Sequence, residues 1–424
     1  MSLNARILVG LFVGTAAGLV AGGSGSAVGA WVGENIAGPA GRIWLRLLLV
    51  VVVPLVFSTL VLGVAGIGGL DRLGRLGVRT LMLFVSTTLL AAALGLLAAG
   101  ALRPGSGIGP ELRASLVDAF AEQSAPTVAA AGEGPGFGAL VALIPANPLA
   151  AAARGDLIAF IAFTLLFAAA LSRVPPDRAR PFLDIMDAVA RATMAMIGFA
   201  MWLAPAGVAG LAYAVTARLG VAIIAPIGAY VAMVLVGLAV YQFGVLGLLA
   251  AALGGRSPRV FYRAARVPMI TAFSTASSAA TLPTTIRAAE EELEIPREIS
   301  GFVLPLGATL HMNGTAYFMA VTIVFLAQAF GVALDLPTQA TIAGMTVLTA
   351  VSAAGIPSGA LPMMVAVLVS VGVPGEAIGL ILGVEPLLGM ARTSTNVTGD
   401  LVAAAALSRA APGDPPRRTD PSSG

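Results

Sequence analysis

Cysteine is absent from the 424 residues, so neither a disulfide framework nor thiolate chemistry is available to this chain. Lysine is absent as well, and all positive charge is arginine. Histidine occurs once, at His311. Charged residues of every kind make up 11% of the chain against 58% hydrophobic, and the mean hydropathy is +0.94. A soluble domain of this length carries far more charge, so composition indicates a polytopic membrane protein. The pI of about 9.8 does not signal nucleic acid. The arginines stand in short stretches between apolar runs, where orientation with positive charge inside explains them.

What is present is a series of apolar runs near the length a bilayer requires, about 20 residues. Ile7 to Ala21 lacks a small-residue cleavage site and reads as the first span, not a signal peptide. Ile43 to Val64 is the second span, and a basic loop with Arg72, Arg75 and Arg79 follows. The third, Leu81 to Leu102, carries Ser86, Thr87 and Thr88 beside Phe84. Ser/Thr packing between helices is the plain explanation of that knot. Pro104 to Gly138 shifts to Gly, Pro, Ser and acidic residues and reads as an exposed, partly disordered loop. After the IPANPL turn (Ile144 to Leu149) come Leu157 to Leu171, a basic loop, Phe182 to Val215 and Val221 to Leu253. The loop with Arg256, Arg259, Arg263 and Arg266 is the most basic and should face the cytoplasm; Arg42 and Arg46 fall on the opposite side, so the charge rule holds as a bias.

The second half is interrupted. Ser274 to Pro283 (STASSAATLP) breaks one apolar segment, which ends in the charged Glu290 to Glu298. Leu304 to Phe330 is broken by His311-Met312-Asn313-Gly314-Thr315, and Thr338 to Gly372 by Ala353 to Ala360. Two interrupted hairpins, each followed by a polar-bearing helix, put irregular backbone at membrane depth. Such backbone is tolerated only where protein buries it or a cavity receives it. Paired broken segments point to a transporter's substrate site, where half-helix N-termini offer N–H groups to an anion and unwound carbonyls serve a cation.

The final segment, Ile378 to Leu407, contains EPLLGMARTSTNVTGD. In a helix, Glu385, Gly389, Arg392, Asn396 and Asp400 share one face. Polar groups in an apolar run point to a bundle interior or a water-filled site. A structural ion pair is the plain reading; the functional one has Arg392 present its fork of donors to a carboxylate.

The SSAATLP tip, the broken HMNGT helix, AGIPSGA, RTSTNVTGD and IPANPL together resemble the glutamate transporter homologues, the dicarboxylate/amino acid:cation symporters, over nearly the whole chain. The resemblance implies an all-α membrane protein with eight transmembrane segments plus two re-entrant hairpins, an elevator-type transporter with inverted repeats. It implies a homotrimer in the cell inner membrane with both termini cytoplasmic. Residues 1–74 and 140–219 would be scaffold, 75–105 and 220–411 transport domain, 106–139 an extracellular loop and 412–424 a disordered tail. The second hairpin would be the gate. By the same resemblance Ser277, Ser278, Thr315, Gly359, Gly389, Arg392, Thr393 and Asn396 are substrate positions. The cation or proton positions are Thr87, Thr88, His311, Asn313, Asn396 and Asp400, with sodium at Asn396 and Asp400 left open. No cofactor is implied.

The departures are informative. The family's broken helix usually reads NMDGT, whose Asn and Asp serve sodium; His311 and Asn313 stand there. Imidazole nitrogen is a poor substitute for oxygen on a hard cation. Phe84 replaces a tyrosine and Ala353 the gate's threonine. Sodium coupling is expected to be weakened or lost, with a proton on His311 or no ion in its place. Histidine's ordinary pKa of about 6.5 allows such a switch, although burial and a neighbouring carboxylate act in opposite directions. Gly389 stands where amino-acid-selective relatives carry an aspartate for the substrate's ammonium, and Ala276 where many have an arginine. A C4-dicarboxylate is the expected substrate. An acidic or neutral amino acid, with Glu385 taking the ammonium, is the runner-up. An anion channel is the rival of another class. Gly399-Asp400 matches two letters of membrane aspartyl proteases, but the second Asp is missing, so no enzyme is expected.

Overall fold

The computed structural model describes residues 3–66, 69–114, 116, 144–154, 157–352 and 361–410. Among them every regular element is helical. The first half holds α1 (Leu3–Gly23), α2 (Ala27–Val32), α3 (Gly38–Leu49), α4 (Val52–Gly66), α5 (Gly69–Leu102), α6 (Pro148–Arg154), α7 (Leu157–Leu171) and α8 (Pro176–Leu219). The second holds α9 (Ile224–Ala239), α10 (Leu246–Ala252), α11 (Pro258–Thr275), α12 (Ser278–Arg287), α13 (Arg297–Leu310), α14 (Asn313–Phe330), α15 (Leu336–Ser352), α16 (Leu361–Ser370), α17 (Gly379–Leu382) and α18 (Glu385–Ala410). Among the described residues four helical stretches, within Ala5–Gly23, Leu76–Gly107, Pro176–Ala252 and Arg297–Phe330, are long and apolar enough to cross a membrane.

Several boundaries differ from those expected. The second span is two helices, interrupted at Val50 and Val51. Pro54 follows four residues later and cannot donate to the Val50 carbonyl, which accounts for the break. Arg72, Arg75 and Arg79 are not in a loop but in the first turns of α5, and Arg259, Arg263 and Arg266 lie on α11. Arginine is a good helix former, and Pro258 at the first position of α11 suits a helix start. The stretch after Pro104 begins packed, not exposed: Gly105 N donates to Gln328 Oε1 (2.9 Å) and Arg113 donates to the carbonyls of Gln328 and Ala329. Residues 117–143, the second hairpin's tip at 353–360 and the tail from 411 lie outside the described residues, and with them the gate positions Ala353 and Gly359.

Two packing regions organise the molecule. Gly10, Gly14, Gly18 and Gly22 of α1 lie on the backbone of α8 at Pro205, Ala209, Tyr213 and Ala217. Both series rise by four, so the helices run parallel in close contact, and any Cβ on these glycines would meet a backbone carbonyl. Small residues let membrane helices approach in this way. The other region centres on α14, buried along Asn313–Ala327 and enclosed by α5, α9, α15 and α18.

Candidate functional site

The site forms where α13 stops and α14 starts. His311 and Met312 leave helical geometry (φ −109°, ψ 80°; φ −108°, ψ 57°), which frees the first N–H groups of α14. Those groups are not open to an anion, as the sequence led us to expect. Asn396, reaching across from α18, accepts from Gly314 N (2.7 Å) and Thr315 N (3.2 Å) through Oδ1. Its Nδ2 donates to Thr315 Oγ1 (3.1 Å) and approaches Met312 Sδ (3.1 Å). Asn396 is thus a helix cap supplied from another helix, and it satisfies Thr315 as well. Gly314 lies directly on the Arg392 carbonyl, where no Cβ fits.

His311 is buried and sandwiched. Its Nδ1 is 3.0 Å from Asp400 Oδ1 and its Nε2 is 2.8 Å from Thr87 Oγ1. The ring stacks on Phe84 with centroids 4.2 Å apart and planes 9° from parallel. Thr87 Oγ1 also reaches the Leu83 carbonyl (2.8 Å), and Tyr241 donates to the Thr87 carbonyl (2.9 Å). The Asp400 carboxylate lies against Gly307 of α13, with 2.5 Å from Oδ1 to where a Cβ would stand. Beside it, Thr88 Oγ1 donates to Asn313 Oδ1 (3.0 Å), while Asn313 Nδ2 is buried with no hydrogen-bond partner among the described residues. Gly399 leaves room for that amide and for the edge of His311, which gives the Gly-Asp pair a packing role.

Arg392 is buried one turn before Asn396. Its Nη2 is 3.4 Å from Glu385 Oε1, two turns earlier on the same helix, and its Cζ lies 5.2 Å from the Phe318 ring centroid. Nη1 is buried and has no hydrogen-bond partner among the described residues. Arg392 therefore already has an ion-pair partner on its own helix. Thr393 Oγ1 donates back to the Gly389 carbonyl (2.8 Å). A Cβ on Gly389 would sit 3.5 Å from Glu385 Oε1 and 3.6 Å from Arg392 Nη2, so a side chain there would enter the space of that pair.

The first hairpin tip presents its two serines differently. The chain reverses at Ala276, left-handed at φ 50°, and Ser277 then caps α12 by accepting from Ala280 N (3.2 Å). Ser278 is buried, and its Oγ has no hydrogen-bond partner among the described residues. α12 packs against α18. Sequence reasoning missed Gln242, buried in a wide helical turn between α9 and α10. It accepts from Thr395 (2.9 Å) and donates to Ser394 (3.3 Å), locking α18 from the other side. Its signal was a carboxamide inside an otherwise apolar span.

One side-chain oxygen of each of three candidate cation residues already has a partner. Asp400 Oδ1 faces His311, Asn396 Oδ1 holds backbone N–H groups, and Asn313 Oδ1 holds Thr88. Among the described residues no group of three His, Cys, Asp or Glu side chains could hold a metal ion.

Comparison with known proteins gives a consistent result. The profile of the sodium:dicarboxylate symporter family matches residues 3–410. The chain is 31% identical to the proton/glutamate-aspartate symporter of Escherichia coli K12 over 379 residues, 89% of this chain and 86% of that protein. It is 31% identical to C4-dicarboxylate transport protein 3 of Ralstonia nicotianae over 405 residues, 95% and 88% of the two chains. It is 32% identical to the neutral amino acid transporter B(0) of Mus musculus over 456 residues, 96% and 81%.

Proposed function

The chain belongs to the sodium:dicarboxylate symporter family, and from that premise we propose that it is a secondary transporter of a small carboxylate-bearing organic anion, a C4-dicarboxylate before an amino acid. The observation that carries this reading is that Arg392 Nη1 and Ser278 Oγ are buried and have no hydrogen-bond partner among the described residues. A buried donor left unmade costs about 1–3 kcal/mol, more if charged, and a carboxylate would satisfy both chemistries. Glu385 stands against the guanidinium, so it serves the arginine and leaves an incoming ammonium without a counter-charge. Gly389 supplies none either.

His311 takes the place of a coupling cation. Thr87 can point its hydroxyl proton at the Leu83 carbonyl and accept from Nε2–H, which suits an imidazolium facing Asp400. It can instead donate to a bare Nε2, which suits neutral imidazole with its proton on Nδ1. One hydroxyl rotation accommodates either state, so a proton can be held at Nε2 and released without rearranging heavy atoms. With Asp400 Oδ1, Asn396 Oδ1 and Asn313 Oδ1 already partnered and no carboxylate at position 313, sodium coupling is weak or lost. The family resemblance supports the rest of the reading: a homotrimer in the cell inner membrane with cytoplasmic termini, residues 75–105 and 220–411 moving as the transport domain against scaffold segments 1–74 and 140–219.

The test is thermal unfolding of purified protein with a panel of C4-dicarboxylates and amino acids, in sodium, potassium and choline, from about pH 5 to 8. A ligand that binds the folded state raises its melting temperature by mass action. Succinate- or malate-type ligands should stabilise in all three cations, with a pH dependence that disappears in His311→Asn. Stabilisation by aspartate alone, or only in sodium, would overturn the substrate or the coupling half respectively.

A further inference from the structure

Away from that site, a polar cavity of about 370 Å³ lies between the α10–α11 connection, the loop at Leu293–Ile295 and the last turn of α18. Gly254, Gly255, Arg256, Leu293, Ser408 and Arg409 contribute to its lining. Arg409 donates Nη1 to the Ala252 carbonyl (3.1 Å), and Arg256 donates Nη2 to the Leu293 carbonyl (2.7 Å). These bonds hold two guanidiniums on the rim while using one nitrogen of each, and each guanidinium has five N–H donors. Gly255 is left-handed (φ 65°), and a Cβ there would stand 3.1 Å from Arg409 Cδ, so the loop is shaped to let that side chain lie across it. Glu294, itself left-handed at φ 54°, stands 4.0 Å from Arg256 and is the one carboxylate paired to either arginine among the described residues. A third arginine, Arg79 of α5, donates to the Ala410 carbonyl at the same helix end (3.3 Å).

Capping carbonyls accounts for one donor per arginine but not for a cavity of this size between them. The surroundings indicate what enters it. Leu248, Leu253 and Val260, on the flanking segments, are large, apolar and exposed (69%, 42% and 50%). Arg259, Arg263 and Arg266 are exposed along α11. An arginine-lined bowl bordered by exposed apolar side chains is the arrangement met where a helix end lies at the bilayer interface. We propose that this cavity binds the phosphodiester headgroup of an anionic phospholipid, with its acyl chains over Leu248, Leu253 and Val260. A free phosphate would offer the guanidiniums the same chemistry but would leave those apolar side chains uncovered, and this favours the lipid.

The test uses the full chain in nanodiscs of phosphatidylglycerol or phosphatidylcholine, and in detergent with inorganic phosphate. Phosphatidylglycerol should raise the melting temperature over phosphatidylcholine. Arg256→Gln and Arg409→Gln should each reduce the shift and together remove it, while Arg178→Gln leaves it whole. Glutamine keeps a donor for the capped carbonyl, and where the double variant does not fold, the lipids retained by each single variant are counted by native mass spectrometry. An undiminished shift or lipid count in the variants would overturn the site. Stabilisation by phosphate with none from phosphatidylglycerol would overturn the lipid as its occupant.

Discussion

The α1–α8 seam and the α13–α14–α18 core both bring backbones together through glycine, yet the surfaces around them are opposite. In the seam, Gly10, Gly14, Gly18 and Gly22 face α8 while Phe12, Val20, Phe199 and Trp202 point outward and are more than 70% exposed. Only 17% of the apolar window in Ala5–Gly23 is buried, against 100% for the window in Arg297–Phe330. In the core, Gly307, Gly314 and Gly399 make room for Asp400, the Arg392 backbone and Asn313. Close approach therefore joins two outward-facing helices in one region and encloses a polar network in the other. The seam presents apolar side chains outward, and inside it Thr216 donates to the Thr15 carbonyl (3.2 Å). α14 has almost no outward face, so the polar side chains around it must find partners within the core.

Removing a charge from the core should have the largest effect. Arg392→Ala should abolish organic-anion binding and also lower stability by about 3–5 kcal/mol, because Glu385 is left buried without its counter-charge. Adding Glu385→Gln should restore most of the stability but none of the binding. Thermal melts and isothermal titration on both variants separate the two effects, and anion binding retained by either would remove Arg392 from the substrate site.

The seam is tested sterically. Gly14→Ala places a methyl on the Ala209 carbonyl and should cost about 1–3 kcal/mol with no change in ligand affinity. Gly23→Ala on the same helix meets nothing within 4 Å and should be neutral or slightly stabilising. Equal melting temperatures for the two variants would mean that the seam yields without cost.

Much of this organisation was legible in the sequence. The breaks at His311-Met312 and Ala276 were visible because polar and small residues interrupt apolar runs, and the polar face of α18 because its spacing follows the helical repeat. What escaped was pairing between distant elements. Spacing places Glu385 and Arg392 on one helix face but does not say whether they pair with each other or with another helix. That Asn396 caps α14, and that Gln242 holds Ser394 and Thr395, depends on how α9, α14 and α18 pack together. The four-residue period of Gly10 to Gly22 signals a close partner without identifying α8. The arginines of α5 and α11 read as loops because charge outweighed their helix propensity.

Coupling is a smaller and more conditional effect. His311→Asn with Asn313→Asp returns oxygen ligands and a negative charge beside Asp400, and removes the ring that occupies Asp400 Oδ1. Substrate affinity should then become sodium-dependent by about tenfold, about 1.4 kcal/mol. Affinity measured in sodium and choline buffers decides it, and no difference between the buffers in the double variant would mean that geometry, not ligand chemistry, excludes sodium.

The smallest effect contrasts a carboxylate in water with the enclosed Asp400. Asp335, exposed in the turn before α15, accepts from Thr338 N (2.9 Å), and its bonds to Thr338 hold its carboxyl below the usual carboxylate range. A depressed folded-state pKa contributes stability above the unfolded value, about 3.9, and loses it as pH falls through the folded value. Solvent screening keeps the contribution small and local to the α15 N-terminus. Hydrogen exchange at Thr338 to Thr341 should accordingly be protected near pH 5, relative to its intrinsic rate, and lose that protection as pH falls through the lowered folded-state value. Asp335→Asn keeps the cap without the charge and should flatten this dependence, whereas Asp335→Ala should lose protection at every pH. If wild type and Asp335→Ala exchange alike throughout, the cap contributes nothing, and α15 is held by its packing on α5, α14 and α16.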